Sequence, residues 1–130
     1  MMRIYAWVLG AMATLVSTVS AGNHTTDTLD TVKKNVADGS AVLVDVREVR
    51  EWDNGHLKDA QNLPLSSLKK GLSAEEINKK IPKKGIIYLH CGSGVRCLTA
   101  ADILKQKGYD VRPLKPGFDD LVEAGFPKAK

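Results

Sequence analysis

Four uncharged apolar residues, Ile86-Ile87-Tyr88-Leu89, stand between Lys83-Lys84-Gly85 and His90-Cys91-Gly92-Ser93-Gly94. An unbroken apolar run bounded in this way is the pattern of a strand covered on both faces. From Val95 the pattern changes to helical, with Val95, Leu98, Ala101, Ile103 and Leu104 recurring at threes and fours. Gly92 and Gly94 permit a tight turn between the two elements. Cys91 therefore falls at the C-terminal end of a buried strand and faces the N-terminus of a helix. The first position is the crevice where open α/β sheets bind ligands. The second presents unpaired N–H groups and the positive helix end. Both favour thiolate over thiol, and Arg96 adds a fixed positive charge. The stretch is an anion-binding nucleophile site.

The rest of the chain repeats the alternation. Asp27 or Thr28 caps a helix running to about Ala37, with Leu29, Val32 and Val36 inward and Asp38-Gly39 as the stop. Ala41 to Val44 is a second buried strand, ending at Asp45-Val46-Arg47. Glu48 to Asp53 reads as a short helix closed by Asn54-Gly55, and Ala60 to Leu63 as a short strand ended by Pro64. Ser66 to Leu68 and Ser73 to Ile81 are helical, the second opened by a Ser73-Ala74-Glu75-Glu76 capping box. Asp110 to Leu114 is another strand, and Phe118 to about Ala124 a last helix. Strands separated by helices imply parallel crossovers, hence an α/β fold with helices on both faces of the sheet.

The first 21 residues stand apart. Arg3 gives a positive start, Ile4 to Val16 is apolar, and Val19-Ser20-Ala21 supplies the small residues of a cleavage site before Gly22. This is the pattern of an exported protein with a secretory signal at 1–21 and a domain at 22–130. The apolar stretch is short for a membrane span. Removing 21 of the 130 residues leaves 109, enough for one core, and with Arg3 gone the formal charge falls from +4 to +3. That mild positive charge attracts small anions. Scattered lysines and few aromatics give no nucleic-acid surface. A monomer is the expectation for a domain of this size. His24, close to the new terminus, is expected to be disordered.

Three separated motifs carry a resemblance. Leu43-Val44-Asp45-Val46-Arg47-Glu48 is followed by Glu51-Trp52, Gly55-His56-Leu57 and Ala60-Gln61-Asn62-Leu63-Pro64. Cys91-Gly92-Ser93-Gly94-Val95-Arg96 is the second, and Pro116-Gly117-Phe118 with Ala124-Gly125-Phe126-Pro127 the third. In this order they resemble a single-domain rhodanese, the sulfurtransferase family, over nearly all of residues 22–130. With its leader the chain is similar to the small periplasmic, phage-shock kind. The resemblance implies a three-layer fold with a central parallel sheet of about five strands. It implies that Cys91 takes sulfane sulfur from a small anion such as thiosulfate as a persulfide, then gives it to cyanide or a thiol, including a protein thiol. The backbone N–H groups of Gly92, Ser93, Gly94, Val95 and Arg96 would cradle that sulfur. No metal or organic cofactor is called for.

The loop also resembles that of cysteine-dependent phosphatases and arsenate reductases, which place five residues between Cys and Arg. Here there are four, a cradle suited to one sulfur atom. Arg96 is expected to shape the loop and add positive potential. Asp45 either fixes loop geometry or caps locally. Arg47 is expected to brace Glu48 and Glu51. His56 is expected to be packed and bonded to backbone, and Trp52 and Phe118 either line the pocket mouth or close the core. The two cysteines, Cys91 and Cys97, enclose too short and constrained a loop for a structural disulfide. Cys97 is either an inert buried thiol or one that attacks the persulfide, which keeps a thiol–disulfide or sulfur-carrier role open.

Overall fold

A computed structural model describes residues 22–130; the leader assigned to 1–21 lies outside the described residues. Four parallel strands form one sheet in the order β2-β1-β3-β4. They are β1 (Ala41–Asp45), β2 (Ala60–Asn62), β3 (Ile86–His90) and β4 (Asp110–Pro113). The helices are α1 (Leu29–Ala37), α2 (Val49–Asp53), α3 (Leu65–Lys70), α4 (Ala74–Asn78), α5 (Arg96–Gln106) and α6 (Phe118–Glu123). One cluster packs Val44, Ile87, Leu89 and Cys91 against Leu68, Ile77, Ala100, Ala101 and Leu104 of α3, α4 and α5. The other packs Leu43 and Tyr88 against Val32 of α1 and Leu121 of α6. Strand alternation thus divides the chain into three layers, as expected of a sheet covered on both faces.

The order of the strands positions the site. From β1 the chain passes to β2 on one side; from β3 it passes through α5 to β4 on the other. The connections diverge between β1 and β3, which makes the crevice at their C-terminal ends the switch point of the sheet. Asp45 pairs with His90 there, and the Val46 N–H donates to the His90 carbonyl at 3.0 Å.

Three expectations require correction. The sheet has four strands among the described residues, where about five were anticipated. Beside β4 the chain makes one backbone bond, Thr25 N–H to the Pro113 carbonyl at 2.7 Å. Pro113 has no N–H to return, so no ladder forms at that edge. In α4, Ser73 accepts from the Glu76 N–H at 3.2 Å, half of the anticipated capping box, and the helix ends at Asn78. In α5 the buried face is Cys97, Ala100, Ala101 and Leu104; Val95 precedes the helix and is 65% exposed.

Candidate active site

Cys91 follows β3 directly and is fully buried. The turn after it is held by contacts that leave no room for side chains. Gly94 has φ +83°, and a Cβ there would lie 2.4 Å from the Lys115 carbonyl oxygen. A Cβ on Gly117 would lie 1.8 Å from the Gly92 oxygen. The third motif of the sequence thereby meets the second: the Phe118 N–H donates to the Cys91 carbonyl at 2.9 Å, and the Leu114 N–H to Leu89 at 2.8 Å. The sequence marks Pro116-Gly117-Phe118 as a motif and offers a role only for Phe118; the segment is the wall against which the cysteine turn is folded.

The Cys91 sulfur accepts the Gly94 N–H at 3.1 Å. Its pKa is brought down to about 5, first by a hydrogen bond from the Cys97 thiol, opposed by burial, and further by the N–H groups of Cys97, Ser93 and Gly94. α5 opens with no side-chain cap, so its first-turn N–H groups are left for the sulfur. Ser93 and Val95 themselves are exposed at the turn. The Cys97 sulfur also faces the carbonyls of Gly94 and Leu114, at 3.3 and 3.4 Å. A single proton serves one acceptor at a time, and a thiolate outcompetes a neutral carbonyl. An ionised Cys91 would therefore draw the Cys97 proton from the carbonyls it faces. Its hydrogen bond to Cys91, then burial and the Cys91 charge, push the Cys97 thiol strongly upward, so it stays protonated. Both cysteines are free.

Arg96 points its guanidinium to Glu51 of α2, with Nη2 2.8 Å from Oε2 and Nη1 on the other oxygen. Gly92 leaves space for it: a Cβ there would sit 3.0 Å from Nη2. Glu51 is the site residue whose partner spacing could not reveal. The Arg96 guanidinium holds the Glu51 carboxyl down to about 2. This pair replaces the anticipated Arg47–Glu51 brace. Glu48 instead caps α2 and accepts from the Ser66 hydroxyl and N–H. Arg47 clamps Asp45, at 2.8–3.0 Å, and reaches the Gly55 carbonyl at 2.8 Å. Asp45 also accepts the Arg47 N–H, so its role is the local one. His90 lies beside them on the face of the sheet opposite Cys91, with Nε2 4.0 Å from Asp45. Burial lowers its pKa to about 4, so it is neutral and does not share the Cys91 proton.

His56 is stacked on Trp52 at 3.6 Å with Nδ1 at 3.0 Å from the Trp52 carbonyl, a packed histidine bonded to backbone as expected. Trp52 and Phe118 join the second core cluster, with Arg47 4.2 Å above the Phe118 ring. His24, expected to be disordered, is held: its Nε2 lies 2.6 Å from the Gly94 carbonyl, so that nitrogen carries the donated proton. A concavity lined by Val36, Leu43, Leu57 and Phe126 lies on the α1 face away from Cys91.

Glu51 and Cys91 titrate apart. Glu51→Gln is expected to lower turnover about threefold to tenfold at every pH by loosening Arg96. The acid midpoint set by Cys91, about 5, is expected to stay in place because Glu51 remains ionised down to about 2. Both are read from a rate–pH profile. The pair is partly exposed, so the melting temperature is expected to move little.

A buried cysteine at the switch point of a doubly covered parallel sheet, on a Cys-x4-Arg turn, defines a domain of the α/β class. The rhodanese-like domain family matches residues 28–124, and the chain belongs to that family. It is 40% identical over 79 residues to the uncharacterized protein YqhL of Bacillus subtilis, covering 60% of this chain and 58% of that one. The Saccharomyces cerevisiae single-domain sulfurtransferase RDL2 superposes with a TM-score of 0.62 at 26% identity, over 78% of this chain and 94% of that one. The human single-domain sulfurtransferase TSTD1 shares the fold, with a TM-score of 0.66 at 24% identity over 78% and 97% of the two chains. The chain spans a little over half the length of the first curated relatives it matches.

Proposed function

We propose that the protein is an exported sulfurtransferase that carries sulfane sulfur on Cys91, taking it from thiosulfate or a persulfide and passing it to cyanide or a thiol. The observation that supports this most is the Cys91 sulfur at the end of β3, accepting the Gly94 N–H of its own turn at 3.1 Å, with its pKa brought down to about 5. The thiolate attacks the outer sulfur of thiosulfate. A Cys91 S–S bond forms, the donor's S–S bond breaks, and its electron pair leaves with sulfite. The persulfide's terminal sulfur is anionic and sits where the turn's N–H groups and the α5 terminus can hold it. An acceptor thiolate or cyanide then attacks that sulfur, and the electron pair returns to Cys91. No proton donor is needed in either step, which agrees with a turn whose arginine, Arg96, is paired to Glu51. That pairing also speaks against a phosphatase, which needs its arginine free for the substrate.

Intact mass tests the reading. Wild type is expected to gain about 32 Da with thiosulfate and lose it with cyanide, and Cys97→Ser is expected to do the same, since only the thiolate is the nucleophile. No gain by fully reduced wild type would sink the proposal. A loss of about 2 Da that needs both thiols would favour the thiol–disulfide alternative. The upward push on the Cys97 thiol argues against that outcome.

A further inference from the structure

Residues 22–28 have no regular secondary structure, yet three of them are bonded to the domain and a fourth, Gly22, lies against it. Gly22 is buried against α5, where a Cβ on it would lie 3.5 Å from Asp102 Oδ1 and 4.0 Å from Lys105 Nζ. His24 donates to the Gly94 carbonyl at 2.6 Å. The Thr25 N–H donates to Pro113 at 2.7 Å. Asp27 Oδ2 accepts from the Tyr88 hydroxyl at 2.7 Å and from Arg112 at 2.9 Å. The segment therefore runs from α5 across the cysteine turn to the end of β4.

Two of these contacts are unexplained by packing alone. The bond from His24 lands on Gly94, the residue whose N–H holds the Cys91 sulfur. Asp102 Oδ1 is buried with no hydrogen-bond partner, and Asp102 enters no ion pair among the described residues. A carboxylate oxygen withheld from water requires a donor. Cleavage after Ala21 would create one. It turns the Gly22 amide into an ammonium group with three N–H donors and a positive charge, one bond from a Cα that already sits beside this oxygen. Lys105 is the competing cation, but it is exposed and its flexible stem reaches water.

We propose that His24 is a positioning residue for sulfur transfer, anchored by an ion pair between the α-ammonium of Gly22 and Asp102. The proposal rests on the sulfurtransferase reading and on leader removal after Ala21. Its physics is peptide planarity. The carbonyl of Gly94 and the N–H of Val95 share one trans peptide and point in opposite directions. By fixing the carbonyl, His24 fixes the direction of that N–H, where the cysteine turn becomes α5. Without the anchor, the turn samples other orientations of this peptide and loses rate rather than substrate affinity.

The test compares a chain released to begin at Gly22 with one retaining Val19-Ser20-Ala21, alongside His24→Ala, His24→Gln and Asp102→Asn. Retained residues, His24→Ala and Asp102→Asn are each expected to lower kcat for thiosulfate about threefold to tenfold, with KM and melting temperature nearly unchanged. His24→Gln, which keeps an N–H donor at the Nε2 position, is expected to restore most of the rate. Asp102→Asn is expected to erase the difference between the two termini. Amide exchange of residues 22–28 is expected to quicken in the extended form. Equal kcat and equal exchange for the two termini would overturn the proposal, as would a His24→Ala loss that glutamine fails to rescue. An exported protein whose mass shows another first residue would also overturn it. If no form takes sulfur from thiosulfate, the sulfurtransferase reading fails; the pH profile of Cys91 alkylation and the exchange rates then still decide whether the terminus docks on the turn.

Discussion

Serine in place of Cys91 is expected to abolish sulfur uptake, with sulfite release from thiosulfate falling by a factor of about a thousand or more. A serine hydroxyl stays protonated at neutral pH and has no lone pair soft enough to displace sulfite from sulfur. In the wild type, the single-turnover rate is expected to rise through pH about 5 and stay level above it, because the Cys97 thiol and the turn's N–H groups hold the thiol there against burial. An ordinary cysteine would reach only its midpoint near 9.0. The same shift affects stability. Ionisation is easier in the folded chain than in the unfolded one. The thiolate therefore adds stability that is complete above about 9.0 and is lost as pH falls through about 5. The wild type is expected to gain on Cys91→Ser in urea unfolding as pH rises from 5 to 9. A gap that stays constant across that window would show that the thiol is not depressed by the fold.

The parts legible in the sequence are those encoded by neighbours in the chain. β1 and β3 stand out because each apolar run is closed by its own turn residues, and α1 ends at Asp38-Gly39 as composition indicates, with Gly39 at φ +81°. Cys91 could be assigned because strand, glycine turn and helix follow it directly. The face of α5 was harder. Val95 and Leu98 carry the strongest apolar signal, yet Cys97, Ala100 and Ala101 are buried, because small residues let α5 pack close to β4. Long-range pairings left no local trace. Glu51 and Arg96 are 45 residues apart, and nothing in either segment names the other. Arg47 had three acidic neighbours to choose from and took Asp45, which shares its face at the end of β1 and is fully buried. A buried carboxylate gains more from a guanidinium than an exposed one does, and burial is a property of the sheet rather than of the spacing. His24 was missed for the same reason: its acceptor is 70 residues away.

The contact between Gly117 and Gly92 makes the second large prediction. Gly117 has φ −83°, a backbone any residue adopts, so the constraint there is space and not conformation. A Cβ would meet the Gly92 oxygen at 1.8 Å, its carbonyl carbon at 2.5 Å and the Ser93 nitrogen at 3.2 Å. All three are backbone atoms, and the Phe118–Cys91 and Leu114–Leu89 hydrogen bonds hold the two segments together on either side. The clash can be relieved only by moving the start of α6 away or by rotating the Gly92–Ser93 peptide. The first loses those bonds, and the second turns the Ser93 N–H, one of the groups that lower the Cys91 pKa, away from the sulfur. Gly117→Ala is therefore expected to cost about 2–4 kcal/mol in urea unfolding. The fraction that remains folded is expected to lose about a hundredfold in sulfite release. Gly39→Ala is the control. It also strains the chain, by about 1–2 kcal/mol through its positive φ, but nothing lies within 4 Å of its Cβ and it sits in the α1–β1 turn. It is expected to destabilise without touching turnover. If Gly117→Ala proves destabilised but fully active, the third motif serves only to hold the fold. If it loses rate well beyond its loss of stability, as expected, the wall behind Gly92 sets the geometry of the cysteine turn.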